Sequence, residues 1–252
     1  MTLLEARGVD FSYGKRLTLS GVDIAVSAGE SVGIVGESGA GKSTLLALLL
    51  GLASPQRGEV RFDGEPLRLR DRALMRRFRA GVQAVFQDPY SSLDPRQRVD
   101  RIVAEPLESL GLARGEEARQ RVREALESVG LPEDAAERYP HEFSGGQRQR
   151  IAIARATVVQ PRVLIADEPV SALDVSTRTQ VIELVNELRA EHGLALVMVS
   201  HDLGAVAATC ERTVVLEAGR VVEAGDTASV LAAPRETYTQ RLIAAIPRLP
   251  TP

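Results

Sequence analysis

The chain of 252 residues is 44% hydrophobic and 26% charged, with a net charge of −3. That balance suits a globular protein with a sizeable core, at the upper edge of single-domain length, and gives no electrostatic reason to expect nucleic-acid binding. No apolar run approaches the roughly 20 residues that cross a bilayer, and Met1 to Arg7 holds no apolar leader block. One cysteine, Cys210, excludes an intramolecular disulfide and suits a reducing compartment, as a small core residue. The expectation is a cytoplasmic protein that reaches a membrane only through a partner.

Leu3 to Phe11 and Gly21 to Ala25 alternate as strands do, with Tyr13 in a turn between them. An aromatic ring there can pack or can stack on a purine. Glu30 to Val35 is a short apolar strand. It runs into Gly36-Glu37-Ser38-Gly39-Ala40-Gly41-Lys42-Ser43-Thr44, and Leu45 to Leu50 continues as a helix. Strand, spacing and helix agree on a phosphate-binding P-loop rather than a plain glycine-rich turn. Glycines let successive N–H groups point at phosphate oxygens, and the helix beginning near Lys42 adds its positive dipole end. Lys42 would reach the β- and γ-phosphates, and the Ser43 hydroxyl would hold Mg²⁺.

Pro55 and Gly58 mark a turn before a strand at Gly58 to Asp63. Leu67 to Phe78 reads as a basic, solvated helix. Val82 to Phe86 is another apolar strand, stopped by Pro89. Gln87 follows its end, where α/β folds present ligand groups. Its amide could touch Mg²⁺ or an attacking water, or be a satisfied loop amide.

From Arg98 to Gly130 the pattern turns helical, clearest at Val99 to Leu110 and Glu116 to Val129. Val122, Ala125, Leu126 and Val129 form one apolar stripe. Ser144-Gly145-Gly146-Gln147 opens a further helix, expected to run to Val159 and to end at Pro161. This is a second helix start of anion-binding type, and a single nucleotide needs only one P-loop. Val163 to Ala166 is a fully apolar strand ending in Asp167-Glu168-Pro169. Two adjacent carboxylates there fit a Mg²⁺ ligand, Asp167, and a base for the attacking water, Glu168. Asp174 precedes a helix at Thr177 to His192 and can cap it. Leu194 to Val199 is the next buried strand and delivers His201 at its end, whereas His141 and His192 read as surface residues. Val214 to Leu216 and Arg220 to Glu223 form a hairpin around Glu217-Ala218-Gly219. A short helix at Tyr238 to Ile246 precedes a loose proline-rich end.

Taken together, these motifs resemble the nucleotide-binding domain of ATP-binding cassette (ABC) proteins, from Leu3 to about Pro234. Tyr13 matches the adenine-stacking position, Gly36 to Thr44 match Walker A, and Gln87 matches the Q-loop. Ser144, Gly145, Gly146 and Gln147 match the signature sequence. Asp167 and Glu168 match Walker B, Asp174 the D-loop and His201 the switch histidine. The family most often has Leu where Phe143 stands. Phe86 to Arg96 and Val170 to Ser176 are similar to importers of oligopeptides, dipeptides and nickel. Tyr238-Thr239-Gln240-Arg241-Leu242 looks like the start of that group's C-terminal extension, here short and without its usual His before Pro-Tyr-Thr.

The resemblance implies an α/β P-loop NTPase of ABC type: a RecA-like core with an antiparallel β subdomain (1–87 and 160–234), a helical subdomain (88–159) and a short extension (235–252). It implies that two such ATPase subunits, identical or different, pair head to tail. ATP and Mg²⁺ would lie between the P-loop of one and Ser144 to Gln147 of the other, with Asp174 beside them. Lys42, Gln87 and His201 would stabilise γ-phosphate charge, Glu168 would be the general base, and Ser43, Gln87 and Asp167 would serve the metal. The subunit would sit on the inner face of the cell membrane, docked on permease subunits and served indirectly by an extracellular solute-binding protein, with no nucleic-acid partner. Its ATP hydrolysis would energise import of a peptide, nickel or a related small solute. The alternative is a soluble ABC ATPase of a non-transport complex, such as a carbon–phosphorus lyase assembly.

Overall fold

Apolar runs without alternation must be covered on both faces, and they fold here as parallel strands. The computed structural model describes residues 1–245, apart from the side chains of Pro89 and Ser91. In chain order the first elements are β1 (Thr2–Tyr13), β2 (Arg16–Ser27), β3 (Ser31–Val35), α1 (Lys42–Leu49), β4 (Arg57–Phe62), β5 (Glu65–Pro66), α2 (Arg72–Gly81) and β6 (Val82–Val85). Four α-helices follow: α3 (Pro89–Ser92), α4 (Val99–Ser109), α5 (Gly115–Ser128) and α6 (Gly145–Thr157), with short 3-10 turns at Glu133–Glu137 and Pro140–Glu142 before the last. The chain then forms β7 (Val163–Asp167), α7 (Val175–His192), β8 (Ala195–Val199), α8 (Leu203–Thr209), β9 (Arg212–Glu217), β10 (Arg220–Asp226), α9 (Thr227–Ala232) and α10 (Thr237–Ala244). It packs as two units. One holds Met1–Leu67 and the residues from Val197 on, and the other holds Arg68–Leu196.

In the first unit, β2-β1-β4-β5 form an antiparallel sheet. β3 pairs in parallel with β9, Val32 opposite Arg212 through Val35 opposite Val215. β9 turns back into β10 at Ala218 and Gly219. All five residues of β3 are buried, so this strand holds the loop that follows it on a rigid base. Cys210 is a buried core thiol, packed within 3.5 Å of the place a β-carbon on Gly33 would take.

In the second unit, β6 pairs in parallel with β7, Val82 opposite Val163 through Val85 opposite Ala166. Around this pair the unit is helical. The stripe of Val122, Ala125, Leu126 and Val129 is buried as its spacing predicts. Arg119, Arg121 and Arg123 lie on the exposed side of α5 in ion pairs with Glu116 and Glu117, contacts that hold little energy in water.

Several expectations need correction. The basic stretch begins its helix at Arg72, where the Asp71 carboxylate accepts the Leu74 N–H at 3.0 Å. It is not simply solvated: Leu74, Met75 and Phe78 are buried, each stabilising by about 1.5–3 kcal/mol. Tyr13 ends β1 opposite Arg16 rather than standing in the turn. The helix from Gly145 stops at Thr157, well before Pro161, and Gln160 leaves it with φ +54°. The short helices α3, α8 and α9 carry no long apolar period and were not expected from the pattern. The C-terminal helix is found at Thr237–Ala244; Ile246 and the proline-rich end lie outside the described residues.

Candidate functional site

Candidate residues lie on both units. In the first, the loop from Gly36 to Gly41 joins β3 to α1. Gly41 is the N-cap of α1 at φ +106° and brings no side-chain acceptor. The first N–H groups of a helix have no intrahelical partner, so the start of α1 is a place where the backbone can face an anion. A β-carbon on Gly41 would stand 2.8 Å from the Leu19 side chain and 3.0 Å from the Thr18 carbonyl. Lys42 Nζ curls back over the loop and donates to the Gly36 carbonyl at 2.6 Å and the Glu37 carbonyl at 2.9 Å. Its ammonium is thus held within the loop and half-buried, while Ser43 is exposed. No acidic side chain lies in the first turn of α1, which favours an anion there.

Two more contacts fix this loop. The Gly219 N–H donates to the Ala40 carbonyl at 2.9 Å. The Glu37 N–H donates to the Tyr238 hydroxyl at 2.8 Å, from a residue 201 positions away. Burial pushes the Tyr238 pKa up.

Tyr13 is 60% exposed and stands edge-on to Phe11, with ring centroids 5.0 Å apart. Its open ring face suits stacking on a purine. His201 is exposed just beyond β8. The next residue, Asp202, caps α8 by accepting the Gly204 N–H at 2.9 Å and the Ala205 N–H at 3.1 Å.

In the second unit, Ser144 and Gln147 form a reciprocal capping box at the start of α6. The Ser144 hydroxyl accepts the Gln147 N–H at 3.3 Å, and the Gln147 side-chain oxygen accepts the Ser144 N–H at 3.0 Å. The box leaves the N–H groups of Gly145 and Gly146, the first two of the helix, without an intrahelical acceptor. Arg148 anchors this helix. It is buried, donates to the carbonyls of Pro140 at 2.6 Å and His141 at 3.3 Å, and lies 3.8 Å over the Tyr90 ring. Phe143, the departure from the usual Leu, is a buried packing residue with the Arg138 guanidinium 4.4 Å from its ring centre.

Asp167 closes β7 and Glu168 follows it, both half-buried. Glu168 has φ +50°, a left-handed backbone in a residue with a β-carbon. Such strain gathers at functional sites. Asp174 caps α7. It accepts from the Ser176 hydroxyl at 2.7 Å, the Thr177 hydroxyl at 2.7 Å and the Thr177 N–H at 3.0 Å. These bonds hold its pKa far below the usual carboxylate range. Gln87 is exposed after β6.

The phosphate loop, Tyr13 and His201 therefore belong to one unit, and Gln87, Ser144 to Gln147, Asp167, Glu168 and Asp174 to the other. The Tyr238 contact to the loop was not foreseen. No local pattern carries it, and the sequence offered only the likeness of its segment to a C-terminal extension.

Comparison with known proteins places the chain by family and fold. A family described as ABC transporter matches residues 19–171. A Brucella ovis protein, by name a peptide import ATP-binding protein, is 44% identical over 249 residues, covering 97% of this chain and 78% of that protein. The glutathione import ATP-binding protein GsiA of Salmonella typhimurium is 48% identical over 219 residues, 87% of this chain and 35% of its own length. Among solved structures, cbiO1 from Clostridium perfringens, part of the ABC transporter complex cbiONQ, superposes with a TM-score of 0.83 at 31% identity, covering 92% of this chain and 91% of that one. A dimeric ATP-binding cassette in a post-hydrolysis state, bound to ADP and Pi, gives 0.79 at 34% identity, covering 89% of this chain and 99% of that one.

Proposed function

Since the chain belongs to the ABC transporter family and is an ATPase with the P-loop ABC fold, we propose that it energises import of a solute, of peptide type, through a membrane permease. The observation that carries this is the 44% identity with a protein named for peptide import, extending over 97% of the chain. Glutathione, in the name of a second relative, is itself a small peptide.

Lys42 and the N–H groups at the start of α1 bind the phosphates, and Tyr13 stacks on the base. Ser43 and Asp167 are the residues that would hold Mg²⁺. The exposed hydroxyl and the strand-end carboxylate have the oxygen chemistry that a hard cation takes. The ion, when bound, neutralises charge on the β- and γ-phosphates. Glu168 takes the proton of the attacking water, oriented with the help of Gln87, and His201 donates toward the γ-phosphate. A glycine-led helix start on each unit, α1 after Gly41 and α6 at Gly145 and Gly146, supports a head-to-tail pair. The α1 end of one subunit and the Gly145–Gly146 end of its partner subunit grip one triphosphate from opposite sides. The partner subunit is the same chain or a different ATPase. Closure on ATP and reopening after cleavage would drive the permease, with the ATPase pair on the inner face of the membrane.

The test is purification from detergent-solubilised membranes with a mild affinity tag. Recovery of two membrane-spanning subunits whose presence stimulates ATP turnover is expected. Recovery of soluble subunits of a metabolic complex alone would overturn the transport reading.

A further inference from the structure

The peptide group between Gly36 and Glu37 is held at both ends. Its carbonyl oxygen accepts from Lys42 Nζ at 2.6 Å, and its N–H donates to the Tyr238 hydroxyl at 2.8 Å. Rotation of that peptide plane would break both bonds together. The Lys42 contact comes from within the loop and is the one a nucleotide's phosphates would compete for. The Tyr238 contact comes from outside it and leaves the phosphate side clear.

Tyr238 is itself well fixed. It is only 7% exposed, in the first turn of α10. The Glu223 carboxylate accepts the N–H groups of Arg235 at 2.9 Å and Glu236 at 3.2 Å, just before that helix. Gln240 ties back to the Pro234 carbonyl at 3.0 Å. Arg241, one turn on, lies 5.9 Å over the Tyr238 ring and 3.6 Å from Glu217. Glu217 closes β9, next to the turn whose Gly219 N–H holds Ala40. The hairpin and α10 thus grip the phosphate loop at its two shoulders, Ala40 and Glu37. Ser38 and Gly39 stay exposed between them.

We propose that Tyr238 is a positioning residue for the phosphate loop, fixing the Gly36–Glu37 peptide so that the C-terminal helix sets how tightly the loop holds a nucleotide. This rests on the reading of residues 36–44 as the nucleotide loop. Holding the loop in shape before the ligand arrives removes an ordering cost from binding. The Tyr238 hydroxyl acts through the Glu37 N–H, so its effect falls on nucleotide affinity and leaves the chemical step alone.

The experiment compares the full chain with its Tyr238→Phe variant, which keeps the buried ring and loses the hydroxyl. A lost hydrogen bond of ordinary strength corresponds to a KM for ATP raised by about 3- to 10-fold, with kcat little changed and faster exchange of the Glu37 amide hydrogen. Incorporation of 3,5-difluorotyrosine at 238, assayed at a pH low enough to keep its more acidic phenol protonated, keeps ring and hydroxyl but weakens the oxygen as an acceptor. It is expected to give a smaller rise in KM and covers the case in which the Phe variant folds poorly. A lower melting temperature with KM and Glu37 exchange unchanged would mean a packing role only and would overturn the proposal. Lys42→Ala separates the two levels. If it abolishes nucleotide binding while Tyr238→Phe binds as the native chain does, the loop reading stands and the positioning role falls. If it binds nucleotide normally, the loop reading falls and the proposal with it.

Discussion

Thr177 Cγ2 stands 2.2 Å from the point where a β-carbon on Gly146 would lie. The start of α6 and the first turn of α7 are therefore in contact, and the contact is possible only because residue 146 has no side chain. The same Thr177 gives its hydroxyl and its N–H to Asp174, so it has little freedom to move aside. Gly146→Ala is expected to cost about 1–3 kcal/mol, as overpacking does, and to lower ATP turnover. Thr177→Ser removes the offending methyl and keeps the hydroxyl. The double variant should regain most of the lost stability, and a double-mutant cycle by denaturant titration measures the coupling. Additive effects would show that the two residues do not meet.

The reciprocal cap at Ser144 makes a second prediction. Ser144→Ala removes the acceptor for the Gln147 N–H and is expected to destabilise the protein by about 1 kcal/mol. Because the P-loop is elsewhere in the chain, binding of ATP to the isolated subunit should stay near native while turnover by the assembled pair drops. Fluorescent-nucleotide titration beside a phosphate-release assay distinguishes these. Equal losses in both would contradict the division of roles.

Asp174 supplies the pH dependence. The Ser176 and Thr177 hydroxyls and the Thr177 N–H depress its pKa. A carboxylate with a depressed folded pKa stabilises fully above its unfolded pKa, here near 3.8. It loses that contribution as pH falls toward the folded pKa. The stability gap between the native chain and Asp174→Ala should be constant from neutral pH down to about 4 and shrink below it. The carboxyl carbon shift of Asp174, followed by NMR, should titrate below the ordinary aspartate range. A midpoint inside that range would show that the cap does not hold the charge.

Glu168 predicts a separation of stability from activity. Its φ of +50° costs a residue with a β-carbon about 1–2 kcal/mol, which glycine avoids. Glu168→Gly should therefore resist denaturant at least as well as Glu168→Gln, once the added flexibility of the unfolded chain is counted. Both variants should lose turnover by orders of magnitude. A glycine variant that still hydrolyses ATP would remove Glu168 from the chemistry.

What could be read from the sequence was what is local. The P-loop is legible because strand, glycine spacing, lysine and helix are consecutive. The same holds for the strand ending in Asp167 and Glu168. Helix ends were harder. Val158 and Val159 extend an apolar pattern that looks helical up to Pro161, yet the helix yields at Thr157 and Gln160 turns left-handed. The basic run before Phe78 hid a buried face, although Leu74, Met75 and Phe78 stand at helical spacing and form a clear apolar stripe: the arginines around them dominate the composition. Tyr238 could not be linked to Glu37 at all: a hydrogen bond across 201 residues is set by packing of the chain's end, and no spacing rule reaches that far.

Whether two subunits hold one triphosphate between them is read from mass by light scattering. Glu168→Gln protein is examined with and without ATP and magnesium, alone and with the ATPase subunit that co-purifies with it. A dimer that appears only with ATP, and that Ser144→Ala weakens, is the predicted result. Monomers at every nucleotide concentration, in both mixtures, would mean that the triphosphate does not bridge two subunits.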